Sequence, residues 1–215
     1  MTTVVTARRV IDGTGRVPIE DGAVLVDGDR IAAVGRRAEI PVPDGAQLID
    51  CGNQTVLPAF VDAHSHASLI PGLGDQDGQQ MEPVNRRLLR AASCLRIDLK
   101  SGVTTMRVMG EEHFIDVDLR TAIAAGQIPD AMHGLMWWEI ATVVGWGASP
   151  HDAILAATRW AAEAIGMERE VGSLQPGKLA HLISVEGDPL RDAASLQRIG
   201  LILQGGRRRD TLSVE

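Results

Sequence analysis

The chain has 215 residues, 45% of them hydrophobic, and a formal net charge of −7, with a mean hydropathy near zero. That is an ordinary globular composition with room for one or two small domains, and its acidity disfavours nucleic acid and anionic membrane surfaces as partners. No run reaches 18 apolar residues, which excludes a membrane-spanning helix. Cys51 and Cys94 have no metal spacing and the N-terminus has no charged-then-apolar pattern, so a reducing, cytoplasmic setting is expected.

Residues 1–57 read as short strands separated by turns: Thr3–Val10, Ala23–Val26, Ile31–Val34, Leu48–Ile49 and Thr55–Leu57, with Asp27-Gly28-Asp29 as a hairpin turn. The β-branched run Thr55–Leu57 leads into Phe60-Val61-Asp62-Ala63-His64-Ser65-His66. Side chains alternate faces along a strand, so His64 and His66 share one side of its end. Neutral imidazole is the commonest biological metal ligand, and two of them converging at a strand terminus make half of a metal site.

Residues 68–80 form a Gly/Asp/Gln-rich stretch read as a loop, in which Asp75 and Asp77 are solvated. Pro83–Lys100 reads as a helix, with Val84, Leu88, Ala91, Ala92 and Leu95 at helical spacing. Gly102 ends it, and Val103–Val108 is a second buried strand, which makes a βαβ unit. The loop after that strand carries Glu111, Glu112 and His113. His113 reads plainly as a solvated loop residue, and alternatively as an additional metal ligand.

Asp118–Gly126, Leu135–Val144 and Pro150–Ile165 read as helices. The last has Ser149 at the N-cap, Pro150 in the first turn and Gly166 beyond its end. Trp137, Trp138 and Trp160 read as packing residues, and His133 and His151 as surface residues. Strands return at Leu182–Val185 and Ile199–Gln204, and Arg207-Arg208-Arg209 reads as a solvated strand end.

Length then sets a limit. The α/β stretch, about residues 55 to 168, holds some 114 residues, whereas a closed eight-stranded α/β barrel takes about 250. At roughly 30 residues per unit only three or four units fit, and two strands are clear. The expected fold class is therefore α/β: an incomplete TIM-type α/β-barrel fragment plus a small β-sandwich formed by the N- and C-terminal segments. In domain terms, residues 1–56 and 169–215 make the composite β-sandwich and residues 57–168 the truncated barrel.

Three stretches in order resemble the amidohydrolase superfamily, in its imidazolonepropionase-like branch. The first runs from Thr6-Ala7-Arg8-Arg9-Val10-Ile11-Asp12-Gly13 to the His64/His66 strand. The second is Ser101-Gly102-Val103-Thr104-Thr105-Met106-Arg107. The third spans Ser149-Pro150 through Thr158, then Val171–Ala180 and Gly187-Asp188-Pro189-Leu190. Up to Pro129 the text resembles the family just after its second barrel strand, and from His133 the helices after its eighth, which puts a seam near residues 128–133.

The resemblance implies a metal-dependent hydrolase of C–N bonds in small amides. Such enzymes hold two divalent metals with the strand-one histidine pair, a carboxylated lysine, two further histidines and an aspartate after the last strand. Only His64 and His66 map onto that set. Lys100 falls in a helix, Lys178 in a Pro-Gly-Lys turn, and there is no other lysine. His181 stands where the family usually has the aspartate and is expected to make a local backbone contact. The expected cofactor is a divalent metal, zinc first, with one ion or none per chain, and with His113, Glu111, Glu112 or Asp130 as further ligand. The alternative is a catalytically silent relative. The open edges of a partial barrel imply a homo-oligomer.

Overall fold

The computed structural model describes residues 1–70, 75–125 and 136–209. The seam near residues 128–133, Asp130 and His133 lie outside the described residues. The elements are, in order, β1 (Thr2–Val10), β2 (Ile19–Asp27), β3 (Arg30–Arg36), β4 (Gln47–Asp50), β5 (Thr55–Pro58), β6 (Phe60–Ser65), α1 (Gln76–Met81), α2 (Val84–Lys100), β7 (Val103–Val108), α3 (Ile115–Ala124), α4 (Met136–Gly145), α5 (Pro150–Leu155), α6 (Ala161–Ala164), β8 (Leu182–Val185), β9 (Ile199–Gln204) and β10 (Arg207–Arg208). A π-helical turn, Ala156–Trp160, joins α5 to α6. The fold is a mixed α/β one.

Strands from both ends of the chain share one eight-stranded sheet, ordered β10-β9-β8-β5-β1-β2-β3 with β4 also on β1. β1 is its spine: Val4, Val5 and Ala7 are all buried, as a strand covered on both faces requires. One of its edges pairs antiparallel with β2. The other is shared lengthwise, first by β4 and then by β5, both parallel to it. The β2–β3 hairpin closes over Gly28, whose φ of 61° suits glycine.

The sheet curls back on itself. The Ile31 amide donates to the Lys178 carbonyl at 2.8 Å and the Ala180 amide to the Asp29 carbonyl at 2.7 Å, so the β3 edge meets the segment that enters β8. Val5, Val24, Ile31, Leu182, Leu201 and Leu203 accordingly lie in one buried cluster.

The chain leaves this sheet within a single residue. Pro58 still pairs with Leu182 of β8, whereas Phe60 already pairs with Val103 of β7. β6 and β7 form a separate parallel pair. Its helices pack onto the outer face of the large sheet through a shared core that includes Leu57, Phe60, Leu95, Ile115, Ile154 and Ile183. Burying an aliphatic or aromatic side chain of this size contributes about 1.5–3 kcal/mol.

Three expectations change. Residues 76–81 are helical rather than loop, because the Asp75 carboxylate accepts from the Gly78 amide and caps the turn. The buried face of α2 includes Arg87 and Asp98 beside Ala91 and Leu95, whereas Val84 is exposed. Trp137 packs on the core, but Trp138 and Trp160 are 55% and 45% exposed, on helix faces that no described element covers.

Gly102 ends α2 with φ 85°, its amide on the Leu99 carbonyl. A Cβ there would press on Ile183 and Ile199, so glycine is needed for space as well as backbone.

Candidate metal centre

β6 begins fully buried at Phe60 and Val61 and emerges at its C-terminal end, where His64 is exposed and His66 half-buried. The pairing with β7 is irregular there: Asp62 faces Met106 and Ser65 faces Val108, three residues against two. Such a bulge re-aims side chains. The Asp62 carboxylate accepts from the His64 amide at 3.0 Å and fixes the bend. The two imidazoles lie edge-on, with ring centroids 5.5 Å apart and planes at 61°.

Just beyond this tip, Ser68 is held at every polar group. Its amide and hydroxyl donate to Glu111 at 2.8 and 2.6 Å, and its carbonyl accepts from Arg90 Nε at 2.6 Å. Glu111 follows β7, so the clamp ties together the loops after two adjacent parallel strands. Its charge is matched by Arg87 at 3.6 Å, both side chains being almost fully buried. Arg87 also donates to Glu112 at 2.9 Å and to the Gln80 carbonyl at 3.0 Å. From sequence Glu111 is a loop carboxylate and a candidate further metal ligand; in the fold its charge is taken up by Ser68 and Arg87. Arginines at positions 87 and 90 of an otherwise amphipathic helix were the available signal.

Glu111 is thus engaged with Ser68 and Arg87, and Glu112 with Arg87. His113 is exposed and has a left-handed backbone, φ 60°, at the entry to α3. Lys100 is exposed at the end of α2. Lys178 Nζ donates to Ser173 Oγ at 2.6 Å, far along the chain from the tip. Among the described residues no group of three or more His, Cys, Asp or Glu side chains is arranged to hold a metal ion. Cys51 and Cys94 are separate free thiols whose pKa values burial pushes up.

Two further titratable groups stand out, Glu139, which feels Asp62 of β6, and His181, which sits against the start of β7. Burial raises the pKa of Glu139 on α4, and the negative charge of Asp62 adds to the rise. The His181 amide donates to the Leu179 carbonyl at 2.8 Å, a local backbone bond, and its side chain also reaches between sheets, where Nδ1 lies 3.1 Å from the Thr104 hydroxyl of β7. Burial, and then the positive charge of Arg209, lower its pKa to about 4. It is therefore neutral at pH 7, where an aspartate would be charged.

Comparison with known proteins follows the same lines. Residues 134–206 match the amidohydrolase family, and residues 22–41 match an imidazolonepropionase-like composite domain of bacteria. The chain is 46% identical over 48 residues to imidazolonepropionase of Streptomyces avermitilis, covering 22% of this chain and 11% of that protein. Against imidazolonepropionase of Pseudomonas aeruginosa it is 32% identical over 97 residues, 45% of this chain and 23% of that one. Against a 5-methylthioadenosine/S-adenosylhomocysteine deaminase of Nitratidesulfovibrio vulgaris it is 45% identical over 69 residues, 31% and 16%. The matches thus span less than a quarter of each of these relatives.

In three dimensions it is similar to a Xaa-Pro dipeptidase, with TM-score 0.85 and 15% identity over 98% of this chain and 100% of that one. Molinate hydrolase gives TM-score 0.85 and 13% identity, over 97% and 94%.

Proposed function

Because this chain belongs to the amidohydrolase superfamily, we propose that it acts on a C–N bond in a small amide, by delivery of a water activated by a single divalent ion, zinc first. The observation that carries this reading is the pair of imidazoles 5.5 Å apart at the tip of β6. A deaminase and a dipeptidase among the similar proteins bear names that denote cleavage between carbon and nitrogen. On this reading β6, α2 and β7 are the opening of an α/β barrel, residues 57–168 its truncated domain, and residues 1–56 with 169–215 the composite β-sandwich.

His64 and His66 would hold the ion, which supplies a Lewis acid able to bring the pKa of a water near neutrality. Two nitrogens are one protein ligand short of an ordinary catalytic zinc site. The described residues fit that half-grip and do not fit a bridged pair of ions, since Lys100 is exposed at the end of α2, Lys178 Nζ is bonded to Ser173, and Glu111 and Glu112 are held by arginine. What this chain supplies itself is orientation: Asp62 fixes the His64 amide, and the Ser68–Glu111 clamp holds the loop two residues beyond His66. The missing third ligand favours a second reading, a catalytically silent relative with the same scaffold.

Metal analysis distinguishes the two. After chelation and zinc readdition, the first reading expects about one zinc per chain, lost in His64→Ala/His66→Ala together with any hydrolysis of N-acyl amino acids. Zinc retained by that double variant would sink the site. No zinc in the wild type would leave the silent relative.

A further inference from the structure

We infer that the free edge of β7 is a docking surface for the β7 edge of a second copy of this chain. Among the described residues β7 pairs only with β6. A groove of about 590 Å³ runs along it, lined by every residue from Val103 to Val108. Successive residues of a strand face opposite sides, so contact with all six identifies the edge rather than a face. The floor is apolar, with Leu95 and Leu99 from α2 and Leu119 and Ile123 from α3. A two-stranded sheet is marginal by itself and parallel strands are normally covered, so the shape that completes this groove is another extended strand.

The first part of the edge is already occupied. The Gln204 side-chain amide donates to the Thr104 carbonyl at 3.3 Å, and His181 meets the Thr104 hydroxyl. Thr105 to Val108 remain. A two-fold axis through Met106 sets two such edges antiparallel, with Met106 opposite Met106 of the other copy and Thr105 opposite its Arg107. The two Met106 side chains then meet across the seam and no like charges face each other, while Arg107 stays on its own strand pair, its Nε donating to the Ala63 carbonyl at 3.1 Å. The groove walls add Arg120 and Asp116, so a copy of the same surface brings both signs of charge to the seam. The product is a four-stranded sheet, β6-β7 continued by the other copy's β7-β6, with an isologous interface.

Sedimentation velocity from about 1 to 100 μM tests this, with a dimer expected at the upper end. Met106→Lys places two ammonium groups opposite each other and is expected to weaken association at least about tenfold, with an unchanged far-UV CD spectrum. Ile97→Lys, on an exposed part of α2 outside the groove, leaves the dimer intact. The single variant Met106→Cys forms an intersubunit disulfide under mild oxidation that Ile97→Cys does not form, and this decides the matter if Met106→Lys does not fold. A wild type that stays monomeric, a dimer broken by Ile97→Lys, or absence of that cross-link would overturn the inference.

Discussion

The two sheets of this protein solve the same backbone problem to different degrees. In the large sheet, the path from β10 to β3 is followed by a return contact between Asp29–Ile31 and Gly177–Ala180, so the β3 edge is covered and a dedicated apolar cluster fills the curl. In the small sheet, β6 and β7 have each other, and stability comes from helices packed on a core shared with the larger sheet. The larger sheet has a core of its own, and the α/β unit borrows from it. Stability should therefore be uneven, with the α/β unit opening first.

The largest expected effect tests the borrowing. Phe60 is fully buried in the shared core, and Phe60→Ala should cost about 3–5 kcal/mol. All four tryptophans, Trp137, Trp138, Trp146 and Trp160, belong to the α/β unit, so their fluorescence reports on that unit while far-UV CD reports on both. A Phe60→Ala denaturation curve in which fluorescence falls before CD sharpens the contrast; coincident midpoints would mean that the two regions melt as one.

Arg87→Leu comes next. It leaves the buried Glu111 without its positive partner and should cost roughly 3 kcal/mol, the expected scale for breaking a buried pair from one side. The loss should be confined to the tryptophan signal. Restoration by the double variant Arg87→Leu/Glu111→Gln in a thermodynamic cycle would identify the unpaired charge as the cause.

The smallest effect concerns the seam between regions. His181 titrates near pH 4 in the fold against about 6.5 in the unfolded chain, so the unfolded state binds the proton first as pH falls. Its contribution is complete above about pH 6.5 and erodes toward pH 4, by about 2 kcal/mol allowing for partial solvent screening. Urea midpoints across that window should flatten in His181→Gln. An unchanged slope would remove His181 from the linkage.

Much of the secondary structure was legible because local signals agreed. Ser149 and Pro150 announce α5, Gly102 ends α2, and alternation with β-branched residues marks β1 to β3. What was not legible is non-local. Nothing near Glu111 in sequence reveals that its charge is spent on Ser68 and Arg87, 43 and 24 residues away. Nor does the sequence around His181 reveal Thr104. In sequence Asp75 looks like a solvated loop carboxylate, because its capping bond depends on the backbone bend at Gly78. The His64/His66 pair stands out in the sequence because the two residues are only two apart, at the end of β6 and just past it.

Pro58 and Leu182 lie side by side as antiparallel partners, so the polypeptide departs for the α/β unit and comes home at neighbouring doorposts. An excursion that starts and finishes at one threshold sets no requirement on its own length: whole turns of chain can be gained or shed beyond the doorway while the frame stays square. A lineage built this way can vary its chemistry-bearing loop drastically and still inherit a foldable frame.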